Sequence, residues 1–250
     1  MASYEQRDFL ISRIGDALEI VRRRNTPHFI GFLDGAECEL CGTYLAGHRQ
    51  NAALFGGYTK AERRVLGIFP DGETPKDEAF PVRALTVNWL FEYPLSHRDF
   101  LGSLLSLGIE RKSVGDILCG EGTAVLFLLE PVFSYVDSQL SKIGGVGVTV
   151  LPGAPEKLPE KDRFKAVTAT AASERLDCVV SALTGAGRAH STELIKSGFV
   201  KRGFQTETNI SAKLKNGDVI SVRGFGKYIL DDLSSKTKKD RIRLAARKYI

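Results

Sequence analysis

Apolar positions Phe9, Leu10, Ile14, Ala17, Leu18 and Val21 recur at helical intervals, which predicts an amphipathic helix over residues 4–24 that Asn25-Thr26-Pro27 ends. Residues 35–45 read as a second helix. The polar, turn-rich run 71–78 reads as a linker, so residues 1–80 are expected to form an N-terminal α/β domain. From Ala84 a new order begins: a strand over 85–91, a helix over 99–107, strands near 115–118 and 124–129, a helix over 132–143 and a strand over 146–151.

That β-α-β-β-α-β series predicts a ferredoxin-like middle domain over residues 81–163, an order that RNA-recognition domains also use. Such domains stack bases on aromatic residues of their central strands, and Val125-Leu126-Phe127-Leu128-Leu129 offers Phe127 alone. The order by itself therefore assigns this domain no role.

The last third carries a different pattern. Residues 164–170 read as a strand. Leu176, Val179, Val180 and Leu183 then line one face of a helix that Ser173 is placed to cap, with Arg175 and Asp177 off the apolar stripe. Thr184-Gly185-Ala186-Gly187 breaks it. A second helix is expected over 188–196, with Ser191, Leu194 and Ile195 inward and Gly198 as its stop. Strands over 199–202 and 219–223 flank Lys213, Lys215 and the turn Asn216-Gly217-Asp218. Two helices on a small curled sheet are expected over residues 164–235. Residues 236–250 read as a basic C-terminal tail, either a helix or a disordered arm, carrying Lys236, Lys238, Lys239, Arg241, Arg243, Arg247 and Lys248 against Asp240. The fold class expected is thus α+β in three small domains.

Charge sharpens this division. Residues 171–250 hold sixteen Lys or Arg against eight Asp or Glu, a net of +8, whereas residues 1–170 hold nineteen against twenty-two, a net of −3. A basic module of that size is the electrostatic footprint of a phosphate-binding surface. No stretch approaches the roughly 20 uncharged apolar residues of a membrane helix. The first eight residues are polar and acidic rather than a signal sequence, so a cytoplasmic location is expected, with no membrane partner. The four cysteines, Cys38, Cys41, Cys119 and Cys178, are too few and too scattered for a disulfide framework.

Several local motifs invite chemistry and are weaker. Cys38-Glu39-Leu40-Cys41 is formally C-x-x-C, but a structural zinc site needs a second ligand pair and only His48 lies near. The simpler reading is two small residues one turn apart on a helix. His97 and Asp99 form a possible acid/base pair; as i and i+2 neighbours at a helix start they do not face each other, and Asp99 serves equally as a cap. Gly144-Gly145-Val146-Gly147 fits the G-x-x-G of an RNA-binding loop and reads more simply as a helix-to-strand turn.

Arg175-Leu176-Asp177, then Arg188, Ile195, Gly198 and Val200, then Gly217-Asp218, Ile220 and Val222-Arg223-Gly224 resemble the small RNA-binding fold named after ribosomal protein S-four. One departure is Gly187, where that pattern carries a serine. His97 to Gly102, Leu107 to Arg111 and Gly115 to Ile117 resemble the middle domain of the YlmH-like proteins, and Phe55-Gly56-Gly57-Tyr58 with Ala61-Glu62-Arg63-Arg64 resembles the same family's N-terminal domain. The resemblance implies a three-part, non-enzymatic RNA-binding protein. It implies association with the large ribosomal subunit carrying peptidyl-tRNA, in rescue and quality control of stalled translation, and a link to cell division.

On this reading the RNA-binding residues are Arg175, Asp177, Arg188, Lys196, Lys201, Arg202, Arg223 and Lys227. Ribosomal RNA and tRNA are the partners; no catalytic residue, metal, cofactor or small-molecule substrate is expected. Arg98 and Arg111 are candidates for RNA contact or for interdomain packing. Two other classes compete. An RNA-modifying enzyme would use the basic module as a substrate grip, but the twenty residues after Leu230 leave no room for a catalytic domain there. A cell-division scaffold would bind RNA incidentally.

Overall fold

The N-terminal apolar spacing becomes α1 (Tyr4–Arg24), which buries Leu10, Ile14, Ala17 and Val21. The computed structural model describes residues 4–48, 51–160, 164–233, 237 and 241–249, and the chain divides into two units, residues 2–161 and 162–250. In the first unit α1 is followed by β1 (His28–Leu33), α2 (Gly35–His48), β2 (Ala52–Phe55), β3 (Arg64–Ile68), β4 (Val82–Asn88) and α3 (His97–Ser106). Then come β5 (Val114–Cys119), β6 (Thr123–Leu129), α4 (Glu130–Gln139), β7 (Lys142–Ile143), β8 (Val146–Gly147) and β9 (Thr149–Pro152).

Alternation along the strands builds four layers. In the β1–β3–β2 sheet, Ile30, Leu54, Leu66 and Ile68 face α1 and α2, while Phe29, Phe32, Phe55, Val65 and Phe69 face the other way. The second sheet runs β5–β6–β4–β9 with every neighbouring pair antiparallel. Its Leu85, Val87, Leu126 and Leu128 pack on Phe100 and Leu104 of α3 and on Phe133 and Val136 of α4. Its opposite face, with Leu118, Val125 and Phe127, packs on the aromatic face of the first sheet. The expected boundary at residue 80 therefore lies inside one unit: Phe80, 6% exposed, sits in the core that the two sheets share.

The second unit holds β10 (Phe164–Ala171), α5 (Leu176–Thr184), α6 (Arg188–Lys196), β11 (Val200–Arg202), β12 (Gln205–Thr206), β13 (Val219–Val222), β14 (Gly226–Asp232) and β15 (Ile242–Tyr249). The strands form one sheet in the order β10–β15–β14–β13–β11–β12, antiparallel throughout. Leu176, Val179, Val180, Leu183, Leu194 and Ile195 of the two helices bury against Val200, Ile220, Val222, Tyr228, Leu230, Leu244 and Ala246 on one face of it. Among the described residues of this unit, no helix packs on the other face.

Three expectations change. Residues 242–249 are neither a helix nor a loose arm: Ile242, Leu244 and Ala246 alternate with Arg243, Ala245 and Arg247, and this period of two puts β15 between β10 and β14. Lys236, Lys238, Lys239 and Asp240 lie outside the described residues. The strand expected to reach residue 91 ends at Asn88, and Leu90, Phe91 and Tyr93 stand exposed on the loop that follows. The helix expected to reach residue 143 ends at Gln139. Gly144 (φ 56°) and Gly145 (φ 104°) instead turn the β7–β8 hairpin, at a place where two successive residues must be left-handed. Among the described residues no helix is long and apolar enough to cross a membrane.

Candidate nucleic-acid interface

Arg175 occupies the N-cap position of α5 (φ −68°, ψ 144°), a place the sequence pattern gave to Ser173. Ser173 Oγ instead accepts from the Arg175 amide at 3.5 Å. The start of α5 is clamped by the segment preceding β13. Leu176 N–H donates to Ala212 O at 2.9 Å, Asp177 N–H to Ile210 O at 3.1 Å, and Leu214 N–H to Glu174 O at 2.9 Å. These bonds satisfy amides that a helix start leaves unpaired and fix the direction in which Arg175 leaves the chain.

Asp177 is not the solvated member of a surface pair. It is 3% exposed, and its two carboxylate oxygens accept from both arginines. Arg175 Nε and Nη2 reach Oδ1 and Oδ2 at 3.0 and 3.3 Å; Arg188 Nε and Nη2 both reach Oδ2, at 3.1 and 3.0 Å. Burial pushes the Asp177 carboxyl up, but the hydrogen bonds from the two guanidinium groups outweigh it and hold the group below the usual carboxylate range. The same bond raises Arg175 above its ordinary value. The Arg188 side chain is 61% exposed and that of Arg175 39%. Asp177 thus acts from beneath as a brace, while the outer edges of two guanidinium groups remain toward solvent at the starts of two helices. Helix starts carry partial positive charge, which adds to theirs and favours an anion.

The remaining expected residues do not gather at this pair. Lys196 is exposed in the last turn of α6. Arg202 donates to Asp218 at 2.7 Å, tying β11 to the turn before β13. Arg223 lies over the Phe199 ring at 5.0 Å. Lys201 and Lys227 stand on the helix-free face of the sheet, each directly opposite Ser221 in the neighbouring strand β13.

In the first unit the sheet face that an RNA-recognition domain would present is covered. Phe127 is 1% exposed and stacks on Tyr58, with ring centroids 5.0 Å apart. Asp116 receives the Tyr58 hydroxyl at 2.8 Å and the amides of Glu62 and Arg63 at 2.8 and 3.1 Å. Arg63 donates to Phe32 O and Val114 O at 2.8 and 3.1 Å. Arg111 donates to Val114 O as well, and burial together with the nearby Arg63 charge draws it down to about 10. The motifs around Tyr58, Arg63, Arg111 and Asp116 are therefore packing devices within this unit. Arg98 is exposed.

The weaker motifs resolve into structure. Asp99 accepts from the Ser96 amide and hydroxyl at 2.9 and 2.6 Å, which closes the start of α3 and lowers its carboxyl. Cys38 and Cys41 lie in the core on α2; burial raises both thiols, Cys41 to about 12, away from the thiolate that ligation and attack require.

Residues 75–154 match the family model described as "Putative RNA-binding domain in YlmH". The chain is 31% identical over 241 residues to the ribosome-associated protein quality control protein P2 of Bacillus subtilis (strain 168), an alignment covering 92% of each chain. The cell division protein ylmH from Streptococcus pneumoniae superposes with a TM-score of 0.55 at 21% identity, covering 62% of this chain and 96% of that one, a likeness of fold. With near-full coverage at that identity and a matching domain model, this chain belongs to the YlmH family.

Proposed function

We propose that the chain is a non-catalytic, ribosome-associated RNA-binding factor that engages the large ribosomal subunit carrying peptidyl-tRNA, in rescue and quality control of stalled translation. The observation that carries this reading is the bracing of Arg175 and Arg188 by one buried Asp177. A buried carboxylate holding two exposed guanidinium groups at fixed separation gives up little side-chain entropy when phosphate arrives. The name of the Bacillus subtilis relative supports ribosome association, and the description of the matched domain supports RNA contact.

In this reading the second unit is an S-four-type RNA-binding module that extends past the expected bound at residue 235 to take in β15, residues 1–80 and 81–163 are an α/β and a ferredoxin-like domain, and the protein works in the cytoplasm. Arg175 and Arg188 grip backbone where ribosomal RNA and tRNA meet; Asp177 positions them; Lys196, Lys201, Arg223 and Lys227 widen the basic field, and Arg202 chiefly shapes the β11 turn. Phosphate contacts position a protein without reading sequence, so selectivity rests on RNA shape.

The test is the salt dependence of binding to purified large subunits carrying peptidyl-tRNA. Arg175→Gln with Arg188→Gln keeps amide donors for Asp177 while removing both charges. It is expected to weaken binding and to reduce the slope of log affinity against log salt by about 1.4 to 1.8, the counterion release of two phosphates. An unchanged slope overturns the reading.

A further inference from the structure

Alternation across the second unit's sheet sets one row of side chains on its helix-free face. Thr206 opposes Lys201, Lys201 opposes Ser221, and Ser221 opposes Lys227. Lys227 Nζ then lies 4.5 Å from the Tyr249 ring centroid, and Tyr249 opposes Phe164. The row crosses six strands, roughly 24 Å at ordinary strand spacing. At one end Phe164 and Tyr249 pair edge to face, with centroids 4.9 Å apart and planes at 63°. The Arg247 guanidinium lies over Phe164 at 4.8 Å. Arg243, opposite Thr170 on the same face, adds a further cation. Among the described residues the acids there are Asp231, paired to Arg247 at 2.9 Å, and Asp232 at the adjoining bulge. Lys201, Lys227, Arg243 and Arg247 outnumber them two to one.

We infer that this face is a second RNA-binding site, one that takes a single-stranded segment. It deepens the RNA-binding reading and rests on it, while using residues on the sheet rather than the helix starts that carry Arg175 and Arg188. Each ring is partly exposed and has a cation against it, so a base can stack on Tyr249, Phe164 or the Arg247 plane while its phosphates run along the row toward Lys227 and Lys201. The hydroxyls of Ser221 and Thr206 sit between and beside the two lysines, where they can donate to phosphate or ribose. An acidic peptide would satisfy the cations but leave the aromatic pair without a role. A duplex presents no unstacked base to the rings.

The full-length chain is titrated by fluorescence anisotropy against a labelled unstructured RNA 12-mer and a labelled RNA hairpin. Phe164→Ala with Tyr249→Ala is expected to weaken the 12-mer about tenfold and the hairpin less than twofold. Arg175→Gln with Arg188→Gln is expected to do the reverse. Phe164→Tyr with Tyr249→Phe retains stacking and is expected to bind the 12-mer as the parent does. Lys227→Gln with Arg247→Gln, a surface change, reports on the site even if the alanine pair fails to fold, and is expected to lower 12-mer affinity severalfold. Undiminished 12-mer binding by the folded aromatic or cationic variants overturns the site alone. Preference for poly-glutamate over the 12-mer reassigns the face to an acidic protein and also overturns it. Failure of the parent chain to bind either RNA overturns this site together with the RNA-binding reading.

Discussion

Tyr58 lies over Phe127, centroids 5.0 Å apart and planes 24° apart, and its hydroxyl reaches across to Asp116 at 2.8 Å. This contact closes the middle sheet to RNA bases and fastens the two sheets of the first unit. Asp116→Ala would leave the Tyr58 hydroxyl and the Glu62 and Arg63 amides without their acceptor. Unfolding by urea is expected to show a loss of about 3 kcal/mol, against about 1 kcal/mol for Tyr58→Phe, which leaves Asp116 its two amide donors.

Gly57 permits that stacking. Its φ is +96°, and a Cβ built there would clash with the Phe127 ring at Cδ1. Gly57→Ala is expected to cost about 3 kcal/mol through left-handed strain and ring displacement. Gly102 makes the matched control. It lies inside α3 with nothing within 4 Å of its Cβ direction, so Gly102→Ala is expected to stabilise by about 0.5–1 kcal/mol. Paired thermal melts distinguish the two signs.

Asp177 links stability to acid. Its folded pKa lies below the unfolded value of 3.8, so its ionised form stabilises the fold above that pH, and the contribution fades as pH falls through the lower folded value. Asp177→Asn is expected to lose about 1–2 kcal/mol at pH 7, the low end for a charged hydrogen-bond network because both arginines remain open to water. Denaturant midpoints taken between pH 3 and 7 are expected to converge for parent and variant at the acid end. At neutral pH the variant also frees the two guanidinium groups to wander, and RNA affinity is expected to drop although no cation has been removed.

Burial protects the paired cysteines of α2. With Cys41 raised to about 12 and Cys38 raised as well, neither forms appreciable thiolate at pH 8. A thiol reagent is expected to modify them only as fast as the first unit opens, whereas all four cysteines react at once in denaturant.

What the sequence disclosed depended on how local each cause is. The α6 bounds follow from Leu194 and Ile195 on one stripe and a glycine at φ 74° just beyond the last turn, all within one short stretch. The cause of β15 is equally local, since Ile242, Leu244 and Ala246 alternate with Arg243, Ala245 and Arg247, but the density of Arg and Lys in the same stretch equally fits a solvated charge run. Phe164 and Tyr249 lie far apart in the sequence, and only the β10–β15 register brings them together. Asp177 could not be read as buried, because its second partner, Arg188, comes from the next helix. Phe127 carried no sign of Tyr58, whose position is set by packing between two sheets.

The central claim, that Asp177 braces Arg175 and Arg188 for ribosomal RNA, is met most directly by sucrose-gradient sedimentation of extracts at near-physiological salt. The parent chain runs beside Arg175→Gln with Arg188→Gln, and RNA crosslinked to each is sequenced. Co-migration of the parent alone with large subunits, crosslinked to ribosomal RNA and tRNA, is the predicted result. Equal co-migration of both proteins, with the same crosslinks, would contradict it.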